Sequence, residues 1–526
     1  MKWQSAPSQP RRLIGVPAAG VDWRWRALVI AIVGYAFFLR LVYSAQVELI
    51  PEEAYYWNYS RHLDIGYLDH PPLVAWLIRF GTTLFGNTEF GVRFGALCCG
   101  AAAAFFIFRL TRNLFGESSA LLALALLQVL PFFFLSGMLM TPDAPLTAAW
   151  AASLYFLERA LIGGRSRAWI GAGLSVGIGL ISKYSIGLLG MAVFVFMLLD
   201  PPSRRWLRRW EPYAALLIAA AVFAPVIIWN AMHHWASFVF QTSRRLAEPP
   251  RFSLHKLVGS ALVLLTPTGL AAAGAAMIGI TSRARAARFL QFAVLVPMTV
   301  FALFSLRHEV KLDWTGAPWT AALPLMAFGL AEANGGGPGA RRWLRVAWPP
   351  TFFVMLLIYG GGLYYLVLGI PGLGYTRHTE LVPVEWRDFA RQIDGIADAL
   401  RSKFGDKLLV VGMDRYAIAS ELAFYSHDQV KAVAATSSAH LFDDIGLMYE
   451  QWFPVRLQTG RTLLLVSWDL GNLAATHLEN RVDGLEPVQE GVLTRDGSVV
   501  RRYYYRIAHD YKYPCGSGVR YTLCPQ

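Results

Sequence analysis

The sequence predicts an α-helical polytopic membrane protein with a small α/β domain at its C-terminal end. Three observations carry that reading. The 526 residues are 55% hydrophobic with a mean hydropathy of +0.39, more than an ordinary soluble domain carries. Apolar runs of about 20 residues, the length that crosses a bilayer, recur between residues 27 and 368. From Thr376 onward the chain turns charged and mixed.

Eleven candidate spans follow in order, at residues 27–46, 92–110, 118–137, 142–161, 168–182, 185–199, 212–230, 257–280, 289–306, 315–332 and 346–368. Arginines cluster in alternate connectors, such as Arg24 with Arg26, Arg109 with Arg112, Arg204 with Arg205, and Arg341 with Arg342. The positive-inside rule makes those connectors cytoplasmic, and an odd number of spans sends the C-terminal part outside. The expected organisation is a basic cytoplasmic arm (1–26), a membrane domain with external loops (27–370) and an external α/β domain (371–526). In the last of these, an amphipathic run over Trp386–Phe404 predicts a helix, and Leu408–Val411 and Leu463–Val466 predict strands. Gly-Gly-Gly-Pro-Gly at 335–339 reads as a flexible linker.

The formal charge of +13 sits in short clusters between apolar runs, without a basic stripe interleaved with aromatics, which excludes a nucleic-acid groove. The 18 tryptophans suit a chain with many membrane interfaces. Cys98 and Cys99 lie in an apolar run. Cys515 and Cys524 close a short terminal segment and are expected to form a disulfide if that end lies in an oxidising compartment.

The external connectors hold the chemistry. The first contains Pro51-Glu52-Glu53-Ala54-Tyr55-Tyr56-Trp57 and then Asp69-His70-Pro71-Pro72, where the prolines hold Asp69 and His70 in place. A carboxylate just outside a membrane face suits a general base, while solvated loop acids are the bland alternative. Asp143, between Pro142 and Pro145, either caps a helix or joins the site. Lys183, followed by Tyr184, interrupts an apolar stretch and suits a phosphate, with snorkelling to the headgroups as the alternative. Connectors that carry His234 and Arg244, and Arg307 with Glu309 and Asp313, keep basic residues outside against the topological bias. They read as anion clamps or as rim salt bridges.

Together these runs resemble the bacterial membrane glycosyltransferases of the protein mannosyltransferase and aminoarabinose lipid A transferase superfamily. The resemblance rests on Glu53-Ala54-Tyr55-Tyr56-Trp57, Asp69-His70-Pro71-Pro72-Leu73, Thr141-Pro142-Asp143-Ala144-Pro145, Ser182-Lys183-Tyr184 and Trp229-Asn230-Ala231, in order over roughly residues 25–330. It implies a GT-C fold, a polyprenyl-phosphate sugar as donor, a lipid or protein acceptor, and inversion at the sugar carbon on the periplasmic face of the inner membrane. It implies Glu53, with Glu52 beside it, as catalytic base, Asp69 in the site, and Lys183 on the donor phosphate. Arg244, Arg307, Tyr56 and His70 are expected around the donor, with Asp143, Tyr184 and His234 in support. No resident metal is assigned, since some relatives carry a divalent ion near the position of Asp69 and others none. A lipid-linked sugar transporter or a membrane scaffold are the rival readings.

Overall fold

The computed structural model describes residues 23–244, 249–279, 285–333, 342–370, 384–495 and 498–513. The expected pair Cys515 and Cys524 lies outside them.

The membrane part is helical. It runs through α1 (Trp23–Gln46), α2 (Pro51–Arg61), α3 (Leu73–Phe85), α4 (Glu89–Phe115), α5 (Glu117–Val129), α6 (Pro131–Ser136), α7 (Asp143–Leu161), α8 (Ala168–Leu180) and α9 (Gly187–Leu199). It continues through the short α10 (Pro201–Arg204), α11 (Glu211–Met232), the short α12 (Ala236–Val239), α13 (Leu254–Gly279), α14 (Arg285–Ser305), α15 (Ala322–Ala333) and α16 (Arg342–Leu368). At 1.5 Å per residue the 24 residues of α1 reach ~36 Å, enough for the ~30 Å apolar core of a bilayer.

Six described helices are long and apolar enough to cross a membrane, or seven if the bent pair Tyr184–Leu199 and Pro201–Arg208 is one span. The sequence expectation of eleven exceeds this because several apolar runs are broken. The run 118–137 splits where Pro131, lacking an amide proton, starts α6. The runs 168–182 and 185–199 meet at Lys183, an extended residue between two 13-residue helices. The run 315–332 begins as two 3₁₀ segments before the 12-residue α15. Each break faces the site described below.

The C-terminal domain has α17 (Trp386–Phe404), β1 (Leu408–Gly412), α18 (Ala417–Tyr425), α19 (Gln429–Ala435), β2 (Thr436–Ser438), β3 (Thr462–Ser467), β4 (Gly484–Leu485), β5 (Gln489–Arg495) and β6 (Ser498–His509). The sheet order is β2-β1-β3-β6-β4 with β5 on β6. β2, β1 and β3 are parallel, and β6 runs antiparallel to β3, β4 and β5. β1 and β3 are buried along their whole length, which explains their uninterrupted apolar sequences.

This domain is not an appendage. One buried apolar cluster runs from Tyr55, Trp57 and Val74 of the first connector into Leu409, Phe424 and Leu463 of the domain. The main-chain N–H groups of Trp386 and Arg387 donate to Glu48, at 2.7 and 3.3 Å. The Tyr425 hydroxyl donates to Glu89 at 3.0 Å and accepts from the Leu49 N–H at 2.7 Å. Arg387 also pairs with Glu89.

Candidate active site

α2 starts at Pro51, whose fixed φ suits the first helical position, and presents Glu52 and Glu53 in its first turn. A helix turns by about 100° per residue, so neighbours point apart. Glu52 is exposed and lines a cavity of about 1030 Å³, with the Tyr416 hydroxyl 3.4 Å from its Oε1. Glu53 is fully buried and is not among the cavity-lining residues. It accepts from Arg93 Nε at 2.9 Å and Nη2 at 2.6 Å, from the Met140 N–H at 2.9 Å and, closing a capping box, from the Ile50 N–H at 3.3 Å. The expected base is thus a fully engaged anchor that ties α2 to α4 and to the turn before α7. Of the acidic pair, Glu52 is the member that faces the cavity.

Asp69 lines the same cavity and is 7% exposed. Its Oδ1 accepts from the hydroxyls of Tyr59 and, at 3.2 Å, Tyr55. Burial pushes the Asp69 carboxyl above its ordinary range, and the two tyrosine hydroxyls and nearby Arg415 offset part of that rise. His70 follows on the cavity wall with its ring edge-on to Tyr56, centroids 5.7 Å apart.

Lys183 Nζ stands 2.9 Å and 3.0 Å from the two Asp143 carboxylate oxygens and 2.7 Å from Asp313 Oδ2. Asp143 opens α7 and Asp313 lies in the 3₁₀ segment Leu312–Thr315, so three distant connectors converge on one ammonium. Two carboxyl groups already engage the Lys183 ammonium, which opposes its use as a simple phosphate clamp. Tyr184 lines the cavity and its hydroxyl is 2.9 Å from Ser237 Oγ. Phe132, Leu135, Leu139, Leu264 and Phe301 supply apolar wall.

Two expected residues fall elsewhere. Arg307 is exposed and outside the cavity lining, its carbonyl accepting from the Arg251 N–H at 2.8 Å. His234 has φ of 52° and lines a neighbouring cavity. Arg244 ends the π-helical segment Phe240–Arg244, and its side chain lies outside the described ones. Arg415, by contrast, escaped the sequence reading. It is exposed in the cavity, with no ion pair or hydrogen bond among the described residues, and it comes from the C-terminal domain, just after β1. Loops after the carboxyl ends of parallel strands are where α/β sheets place ligands, and that signal was available. Among the described residues no group of three or more His, Cys, Asp or Glu is placed to hold a metal ion.

Residues 69–229 match the family described as dolichyl-phosphate-mannose-protein mannosyltransferase. The crystal structure of ArnT from Cupriavidus metallidurans in the apo state superposes with a TM-score of 0.60 at 15% identity, covering 92% of this chain and 98% of that one. The chain has the fold of that ArnT protein. The lipid A galacturonosyltransferase RgtD of Rhizobium johnstonii is 29% identical over 194 residues, 35% of this chain and 39% of that protein. The undecaprenyl phosphate-alpha-4-amino-4-deoxy-L-arabinose arabinosyl transferase of Pseudomonas aeruginosa is 30% identical over 219 residues, 38% of each chain. These matches span well under half the length of the curated relatives. The segment that matches the mannosyltransferase family includes Asp69, Asp143 and Lys183, whereas Glu52, Asp313 and Arg415 lie beyond it.

Proposed function

We propose that the chain is a glycosyltransferase that moves a sugar from a polyprenyl-phosphate donor to a lipid or protein acceptor, with inversion, on the periplasmic face of the inner membrane. The observation that carries this reading is the cavity of about 1030 Å³, which combines the charged set Glu52, Asp69, Lys183 and Arg415 with a wall of phenylalanines and leucines. An isoprenoid phosphate has the same two halves. The ArnT protein has also been crystallised bound to undecaprenyl phosphate, and the relatives named above act on lipid A or take their sugar from undecaprenyl phosphate. A glycolipid is therefore the favoured acceptor.

In this mechanism an acceptor hydroxyl attacks the anomeric carbon from the side opposite the phosphate. The new carbon–oxygen bond forms as the bond to the phosphate oxygen breaks, and the hydroxyl proton passes to the Asp69 carboxylate. Burial raises the Asp69 carboxyl above its ordinary range, which strengthens it as a base while the pH keeps it ionised. Glu52 stands at the cavity's edge to orient the acceptor. The departing phosphate takes the electron pair, and Arg415 meets its charge with a planar fork of donors. Lys183 contributes through Asp143 and Asp313, which hold it in place. The cytoplasmic N-terminus and periplasmic C-terminal domain are part of the same proposal, since they put the cavity where lipid-linked sugars are consumed.

The test is mass spectrometry of membrane lipids from cells lacking the chain, cells restored with it, and cells restored with Asp69→Asn. Accumulation of a polyprenyl-phosphate sugar in the first and third, with loss of one sugar from a glycolipid, is the expected result. Unchanged donor and product in all three would remove the transferase reading and favour the transporter.

A further inference from the structure

A second cavity, of about 780 Å³, opens beside the first between the α2–α3 connector, the C-terminal end of α11 and the C-terminal domain. Adjacent residues of one turn line the two. Leu447 lines the large cavity and its neighbour Met448 the second. Leu447 has φ of 53°, a strained value for a non-glycine residue, and the turn is pinned where the Met448 N–H donates to the Tyr55 hydroxyl at 3.2 Å. Tyr67, on the wall of the second cavity, stacks on Tyr59 with ring centroids 4.0 Å apart, and the Tyr59 hydroxyl in turn donates to Asp69.

The lining has a definite chemistry. Arg61 has no hydrogen-bond or ion-pair partner among the described residues, and its Nε is buried and unsatisfied. Its guanidinium rests over the Trp57 ring, 5.5 Å from the centroid. His62 and His233 each set Nδ1 against the carbonyl four residues earlier, at 3.1 and 2.8 Å. A carbonyl can only accept, so Nδ1 carries the proton and Nε2 is left for a ligand. The lining carboxylate Asp64 is already engaged by the Trp229 Nε1–H at 2.8 Å and the Ile65 N–H at 2.7 Å. Trp452 adds an aromatic surface, stacked on His62 at 4.4 Å. A cation with no ion pair or hydrogen bond among the described residues, two imidazole nitrogens and an indole, beside one carboxylate already held by two N–H donors, together suit a sugar that bears an acidic group.

We infer that the second cavity docks the anionic saccharide headgroup of the acceptor, with the Arg61 fork on its phosphate or carboxylate and Trp452 against the sugar. This rests on the glycosyltransferase reading and deepens it, by giving the acceptor a site of its own next to Asp69. A headgroup held there lies next to the Tyr67–Tyr59 stack that leads to Asp69.

The experiment is calorimetric titration of the full chain in nanodiscs with three probes: a bisphosphorylated glucosamine disaccharide, the same disaccharide without phosphates, and inorganic phosphate. Undecaprenyl phosphate is titrated separately. Arg61→Gln is expected to weaken binding of the bisphosphate about tenfold or more, Arg61→Lys to restore part of it, and the phosphate-free sugar to bind wild type and Arg61→Gln alike. Undecaprenyl phosphate is expected to bind every variant equally and not to displace the disaccharide. Equal bisphosphate binding by wild type and Arg61→Gln would overturn the proposal. So would inorganic phosphate binding as tightly as the disaccharide, or displacement of the disaccharide by undecaprenyl phosphate. If wild type fails to bind undecaprenyl phosphate, the donor reading fails instead, and the Arg61 comparison still decides the anion site.

Discussion

Glu52 and Glu53 share a helical turn and meet opposite surroundings, and their substitutions should part accordingly. Glu53→Gln leaves the Arg93 guanidinium buried without its counter-charge, a loss of about 3–5 kcal/mol by analogy with broken buried pairs. The expected outcome is less folded protein in the membrane, read by thermal melting in detergent. Asp69→Asn should keep folding and undecaprenyl phosphate affinity while turnover collapses, read as single-turnover rate on purified protein. Because its carboxyl must be ionised to accept a proton, the wild-type rate should fall as pH drops through its raised pKa. Asp313 is 44% exposed where Asp143 is 13% exposed, so it is the looser of the two carboxylates on Lys183. Removing its charge in Asp313→Asn should tighten undecaprenyl phosphate binding about fivefold, equivalent to ~1 kcal/mol, with Arg415→Ala moving it the other way. The acids themselves were legible in the sequence because Pro51 and the Pro-Pro pair flag held backbone. Which acid faces the cavity was not, since the partners that decide it stand 40 residues away at Arg93 and, for Lys183, 130 residues away at Asp313.

At the scale of elements, the broken helices do the work of shaping the cavity. α6 turns Phe132 and Leu135 into the cavity wall, and Arg40 of α1 holds it from the other side, donating to the carbonyls of Phe134 at 3.1 Å and Phe133 at 3.2 Å. The periodicity of apolar residues found these helices but not their ends, because an apolar run reads the same whether it crosses a membrane or stops at a proline within it. The helix Trp386–Phe404 and the strands β1 and β3 were legible nearly to the residue, as strong amphipathicity and short apolar runs are local signals. The docking of that domain depends on Glu48, whose carboxyl burial pushes up to about 7 against the pull of the Trp386 and Arg387 N–H groups. The docked group therefore keeps a proton that a free glutamate releases at lower pH. Docking should be firmest in acid and weaken as pH rises from the ordinary carboxylate value toward 7. Glu48→Gln should flatten that dependence, measured as the urea midpoint of tryptophan fluorescence at pH 5.5 and 7.5.

Across the whole molecule, the large cavity is lined by two parts of the chain that the sequence reads as separate domains. Composition separates them sharply at Thr376, but shows nothing of the apolar cluster that joins Trp57 to Phe424. That cluster predicts the effect of ending the chain at residue 370. The shortened protein should still insert in the membrane, yet show no turnover and expose the faces of Trp57 and Val74, detectable as increased binding of a hydrophobic dye.

The order in which the ribosome delivers these parts then matters. Glu52 and Asp69 emerge early, while Arg415 and Leu447 arrive only after more than three hundred further residues. A nascent chain thus holds its cavity acids before Arg415 and the Leu447 wall of the same cavity exist. On the glycosyltransferase reading, the site is complete only when the last domain settles on α2.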